Sequence, residues 1–194
     1  MKILFTGASS FTGFWFAREL AREGHELVAT FRRPTAEYEG VRRARVEGLA
    51  PHVRPAVGCA FGDDRFLDLI ADEGPWDLLC HHAADATDYK SPDFDAVAAA
   101  ARNTHRIAAV LAAFRAAAGR AVLLTGSVFE GGEGAGSEGL PHFSPYGLSK
   151  ALTAQVVAYE AARAGLGFGK FVIPNPFGPF EEPRFTHSLV STWR

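Results

Sequence analysis

Apolar positions arrive along this chain in short blocks separated by small or polar turns. Ile3, Leu4 and Phe5 form a run too short for a helix, which predicts a buried strand. The small-residue turn Thr6-Gly7-Ala8-Ser9-Ser10-Phe11-Thr12-Gly13 follows it. Residues 14–23 then place Phe16, Leu20 and Ala21 on one helical face, Gly24 stops that helix, and residues 27–31 read as a second strand. Strand, glycine turn, helix, glycine stop and strand predict a right-handed βαβ unit.

The alternation continues. Residues 41–49 are a poor, arginine-rich helix or an irregular cover, residues 56–61 a third strand, and Gly62-Asp63-Asp64 breaks it. Residues 65–71 read as helix, residues 77–81 as a fourth strand and residues 83–91 as a loop. From Pro92 to about Ala118 the spacing of Val97, Ala101, Thr104, Ala108, Leu111 and Arg115 predicts one long helix. Residues 121–125 are a fifth strand and residues 131–139 a glycine-rich surface loop. A helix begins at Ser144-Pro145, with proline at a tolerated first-turn position, and runs to about Ala164. Residues 168–173 are a sixth strand, and the proline-rich stretch 174–183 is not helical. This pattern predicts an α/β fold: a doubly wound parallel sheet of the Rossmann type, three layers α/β/α, with strand order 3-2-1-4-5-6. Residues 1–180 form the nucleotide-binding domain on this reading, and residues 181–194 are the start or remnant of a further lobe. Ligands of such a sheet bind beyond the strand carboxyl ends.

Composition narrows the function classes. The chain has 194 residues, 47% hydrophobic and 22% charged, which suits one packed domain. A net charge of −2, with no long basic run, gives no footprint for nucleic acid or an anionic membrane. No apolar run approaches the ~20 residues that cross a bilayer. Cys59 and Cys80 sit apart in apolar runs, which reads as buried thiols in a reducing, cytoplasmic setting.

Candidate chemistry begins at the first turn. Gly7 and Gly13 occupy the outer positions of a three-glycine dinucleotide fingerprint, and Ser10 replaces the middle one. Its hydroxyl is placed to donate to a phosphate oxygen. Tyr146 and Lys150 are four residues apart on one helical face, so an ammonium there lowers the phenol pKa and makes a usable base. Ser127, at the end of the fifth strand, can hold the same substrate hydroxyl. Phe31, not an acid, ends the second strand, and Arg32 and Arg33 follow, which favours NADP over NAD through a 2′-phosphate. His81 and His82 are adjacent in a strand and point to opposite faces, so they do not chelate one metal. His142 reads as a loop histidine.

These residues together resemble the short-chain dehydrogenase/reductase superfamily, in its extended branch of NAD-dependent epimerases and dehydratases acting on nucleotide sugars. The resemblance is carried by the first turn, Gly62-Asp63-Asp64, His81-His82-Ala83-Ala84, Thr125-Gly126-Ser127, Tyr146-Gly147-Leu148-Ser149-Lys150 and Pro174-Asn175-Pro176-Phe177-Gly178-Pro179. It implies that Gly7, Ser9, Ser10, Phe11, Thr12 and Gly13 line the pyrophosphate and that Asp63, with Asp64 beside it, lies at the adenine. Ala83 and Ala84 border the adenosine ribose and phosphates, and Asn103 and Pro174 complete the cofactor set. Ser127 orients the reacting group, Tyr146 is the acid/base, and Lys150 binds the nicotinamide ribose. A nucleotide sugar is the implied substrate and a homodimer through the helices near Pro92 and Ser144 the implied assembly. Two departures stand out: Val128-Phe129, with Glu130 next, replace the Asp-Glu pair of family dehydratases, and the chain ends about a hundred residues before the sugar-covering lobe of such enzymes would be complete. The alternatives are a nucleotide-binding module without its own turnover and a small reductase with a compact substrate.

Overall fold

A computed structural model describes residues 1–134 and 140–182. Six parallel strands form one sheet in the order β3-β2-β1-β4-β5-β6, the predicted doubly wound order. They are β1 (Lys2–Thr6), β2 (Glu26–Phe31), β3 (Arg54–Val57), β4 (Leu78–His81), β5 (Ala121–Ser127) and β6 (Gly167–Ile173). Around them lie α1 (Phe11–Arg22), α2 (Gly40–Leu49), α3 (Asp64–Glu73), α4 (Ala96–Asn103), α5 (Ile107–Ala116) and α6 (Pro145–Arg163).

Period-two alternation along buried strands sends side chains to two separate cores. Ile3, Phe5, Leu27, Ala29, Phe31 and Cys80 meet Phe14 and Ala17 of α1 and Val46 and Leu49 of α2. Leu4, Val28, Ala56, Leu79, Val122 and Leu124 meet Phe66 and Ile70 of α3, Val110 and Phe114 of α5, and Val157 of α6. The helices thus cover both faces, and the strand carboxyl ends share one rim.

Two predicted elements change. The third strand lies at Arg54–Val57 and not at residues 56–61, because Gly58 at φ +65° turns the chain out of the sheet. The long helix expected from Pro92 to Ala118 is two helices. Asp95 caps α4, accepting from the Ala98 amide, and Arg106 at φ +51° breaks the chain before α5. Long-range contacts set that break: the Asn103 carbonyl is held by the His81 ring, and the His105 carbonyl lies where a side chain on Gly62 would sit. The arginine-rich cover is a true helix, α2, whose Arg45 is fully buried. Its guanidinium donates to the Ser9 and Phe180 carbonyls and pairs with Glu182, which binds the segment after β6 to the turn before α1. Residues 183–194 of the anticipated second lobe, and residues 135–139 of the glycine-rich loop, lie outside the described residues.

Candidate active site

The turn between β1 and α1 is built by two glycines in close contact. Gly7 has φ +80°, and a Cβ there would stand 2.7 Å from the Ala83 nitrogen. A Cβ on Gly13 would stand 2.2 Å from the Gly7 carbonyl oxygen. Ser10 is the N-cap of α1: its hydroxyl donates to the Gly7 carbonyl at 2.8 Å and accepts from the Gly13 amide at 3.1 Å. That corrects the expectation that Ser10 donates to a phosphate, because its one proton is spent inside the turn. The first-turn amides of Phe11 and Thr12 have no intrahelical acceptor and are the donors a pyrophosphate would use. Ser9 contributes its carbonyl to Arg45, and the Thr12 hydroxyl meets the His82 ring.

On the adenosine side, Arg32 and Arg33 are exposed just past β2, and Arg33 stacks 6.0 Å over the Tyr38 ring. Asp63 caps α3, its two oxygens accepting from the Phe66 and Ala60 amides. Asp64 is exposed and pairs with Arg106. Ala83 donates its amide to the Thr6 hydroxyl, which holds the loop carrying Ala83 and Ala84 beside Gly7. Asn103 fixes the next residue of that loop, accepting from the Asp85 amide at 2.7 Å and donating to Thr153 of α6. Pro174 is exposed immediately after β6.

Ser144 caps α6 by accepting from the Gly147 amide, and this starts the helix that carries Tyr146 and Lys150. The Phe129 carbonyl occupies the space a Gly147 side chain would need, so the strand end bearing Ser127 is pressed against the start of α6. The Tyr146 ring packs against Tyr89 (5.3 Å), Phe94 (5.9 Å) and Phe129 (6.4 Å). Burial first, then Tyr89 and Glu130, pushes its phenol up to about 12. The expected depression by Lys150 is therefore reversed. The Lys150 ammonium turns instead to the Thr125 carbonyl at 2.5 Å, and burial pulls its pKa down to about 8. Spacing placed both residues on one face, but the lysine reaches inward to the sheet end.

Glu130 is the residue whose role the sequence did not disclose. It is buried, accepts the Ser127 amide at 2.7 Å and takes the Lys170 ammonium at 2.9 Å. Its signal was only an acid placed shortly after an apolar strand. Both oxygens are engaged, so it braces the Ser127 turn. His142 likewise serves structure, accepting from the Gly131 amide. At the start of α6, a groove of about 480 Å³ is lined by Lys90, Pro92, Leu140, Phe143, Pro145 and Leu148.

The paired histidines are structural groups with defined partners. Thr6 Oγ1 accepts from the His82 and Ala83 amides, so its own proton goes to His81 Nδ1. His81 Nε2 then carries the ring proton and donates to the Asn103 carbonyl. Burial pulls His81 down to about 4 and His82 to about 3. The folded values lie below the unfolded value, so the unfolded chain binds more protons in mild acid. The stability from keeping the rings neutral is complete above pH 6.5 and is lost as pH falls toward 4 and 3. Thermal melts should show stability dropping between pH 6.5 and about 5, above the usual carboxylate range, by up to about 1.4 kcal/mol per pH unit for each ring. A flat profile there would contradict buried neutral histidines.

Comparison with known proteins agrees with this geometry. The model of the NAD-dependent epimerase/dehydratase family matches residues 3–194. No curated protein matches the chain. UDP-glucose 4-epimerase from Thermotoga maritima, solved with UDP-glucose, superposes with a TM-score of 0.71 at 19% identity, covering 100% of this chain and 62% of that one. A double mutant of dTDP-glucose 4,6-dehydratase from Streptomyces venezuelae, solved with NAD, gives 0.71 at 22% identity with coverage of 100% and 62%. Yeast methylglyoxal/isovaleraldehyde reductase, complexed with NADPH, gives 0.64 at 16% identity with coverage of 92% and 59%. The chain thus spans about three fifths of the length of these structures. With its six-stranded sheet, its glycine turn and a family match along nearly its whole length, the chain belongs to the NAD-dependent epimerase/dehydratase family.

Proposed function

We propose that this chain binds a nicotinamide dinucleotide and transfers hydride at a hydroxyl-bearing carbon of a nucleotide sugar. The observation that carries the reading is one of position: the free amides of the first α1 turn, the Ala83 loop, the Ser127 turn and Tyr146 all lie at the carboxyl rim of one parallel sheet. UDP-glucose, NAD and NADPH in the structural neighbours support the substrate and cofactor classes. Exposed Arg32 and Arg33 favour NADP.

When bound, the nicotinamide supplies the hydride acceptor or donor. The protein residues handle the matching proton. In the oxidising direction a Tyr146 phenolate takes the proton of the substrate hydroxyl oxygen while hydride leaves the carbon bearing it, so two electrons and two protons depart, one proton to the phenolate and the other with the electron pair as hydride. In the reducing direction the neutral phenol gives its proton to the carbonyl oxygen. A phenol held up to about 12 is poised for that second role. Ser127 orients the oxygen, and Lys150, which here donates to the Thr125 carbonyl, is the residue that would hold the nicotinamide ribose. Glu130 is tied to Lys170 and to the Ser127 amide, so no free acid follows Ser127 to assist loss of water. Epimerisation or simple redox chemistry is favoured over dehydration.

On the same reading the protein acts in the cytoplasm, and residues 181–194 open the sugar-covering lobe. It pairs as a homodimer through α4 and α6, where Val97, Val156 and Tyr159 are exposed. A second reading, dinucleotide binding without turnover, is favoured by one feature: Lys150 is committed to a backbone carbonyl. UDP- and dTDP-sugars incubated with NAD or NADP, followed at the nicotinamide absorbance and by product chromatography, separate the two. Substrate-dependent reduction of the dinucleotide, or epimer formation, is expected. Tight dinucleotide binding with no chemistry on any sugar would favour the second reading.

A further inference from the structure

The His82 side chain lies between two parts of the rim that are far apart in sequence. Its Nε2 meets Thr12 Oγ1, in the first turn of α1, at 3.0 Å. Its Nδ1 meets Thr125 Oγ1, near the end of β5, at 2.8 Å. The Thr125 carbonyl in turn accepts from the Lys150 ammonium. Phe5 stacks on the ring at 5.8 Å and Phe16 meets it edge-on at 5.5 Å, so the imidazole is fixed in plane and position. A neutral imidazole has one N–H donor and one bare acceptor, and a threonine hydroxyl serves either role. Both ring nitrogens are thus satisfied without a charge, and the ring stays neutral because burial holds its pKa near 3.

No other described contact joins these two turns so directly. The first α1 turn supplies the amides for a pyrophosphate, and the Thr125 end of β5 leads into Ser127 and carries the Lys150 contact. Their separation sets the distance between the phosphate anchor and the reacting end of a dinucleotide. We propose that His82 is a positioning residue, which ties the Thr12 end of the dinucleotide loop to the Thr125 end of the reactive strand and so holds the cradle at the span a nicotinamide dinucleotide needs. The proposal rests on the dinucleotide-binding reading above. Its consequence is coupling: His82 and Thr125 act on dinucleotide affinity as one unit.

The test is a mutant cycle on the full chain with His82→Leu, Thr125→Val and the double variant, read by NADPH and NADH binding fluorescence and by amide hydrogen exchange without ligand. Thr125→Val keeps the shape and the carbonyl that holds Lys150 but removes the hydroxyl. Each single variant should weaken binding about tenfold, the scale of one buried hydrogen bond, and the double variant should be no weaker than either. Each single variant should also speed exchange in both residues 8–14 and residues 125–130. His82→Gln keeps a donor and an acceptor, and recovery of affinity to within about threefold of the parent is expected. If His82→Leu does not fold, Thr125→Val against His82→Gln carries the comparison.

Multiplicative losses near a hundredfold in the double variant would overturn the coupling. So would single variants that lower the melting temperature while affinity stays within twofold. A parent chain that binds neither dinucleotide overturns the functional reading itself. Unchanged exchange at one of the two segments overturns the bridge even where the parent binds well.

Discussion

Replacing Gly13 with alanine is expected to cost at least about a hundredfold in dinucleotide affinity and to lower the melting temperature by about 4–8 °C. The added methyl has no room. It would lie 2.2 Å from the Gly7 carbonyl oxygen and 2.7 Å from Ser10 Oγ, and the first of these is backbone. Gly7 cannot retreat freely, because its φ is +80° and the Ala83 backbone crowds the space beside its Cα. Relief must come from moving α1 away from β1. That shift breaks the Ser10 cap, which accepts the Gly13 amide, and tilts the Phe11 and Thr12 amides away from a phosphate. Overpacking of this kind costs about 2 kcal/mol, and about the same again for each phosphate hydrogen bond lost underlies the affinity estimate. Melting curves and NADPH titration of the variant check both parts. A variant that binds like the parent would show that the turn is not the anchor.

Tyr146→Phe should remove turnover by about 10²- to 10⁴-fold while leaving fold and dinucleotide affinity nearly unchanged. The ring keeps its contacts with Tyr89, Phe94 and Phe129, so packing survives the loss of one oxygen. What disappears is the proton that the Tyr146 phenol exchanges with the substrate oxygen. The loss should fall on kcat, because the proton moves only in the chemical step. Equal binding with lost turnover is the expected pattern, measured by titration and by steady-state assay of the same preparation. Undiminished kcat would remove Tyr146 from the mechanism.

What could be read from the chain alone depended on how local each cause was. Strand order followed from apolar blocks alternating with amphipathic ones, since each crossover is nearly forced to one hand. Gly7 and Gly13 were legible because a tight turn needs them whatever surrounds it. Ser10 shows the limit: its position three residues before Gly13 fits an N-cap, and the cap claimed the hydroxyl that a phosphate was expected to take. The helix from Pro92 kept its period straight through Thr104, yet it breaks there, because His81 and Gly62 act from other parts of the chain. The contacts that Arg45, Glu130 and His82 make went unread for the same reason. Each of the three is a buried polar side chain with at least one partner distant in sequence. The Tyr146 pKa failed in direction, since four-residue spacing sets the face but not where a lysine of that length ends.

The central claim is that this rim seats a nicotinamide dinucleotide, and calorimetric titration of the full chain with NADPH and with NADH measures that directly. Saturable binding of one dinucleotide per chain, retained in Tyr146→Phe and lost in Gly13→Ala, is the predicted result. No heat of binding from either dinucleotide at about millimolar concentration, where even an affinity near −4 kcal/mol would register, would contradict it.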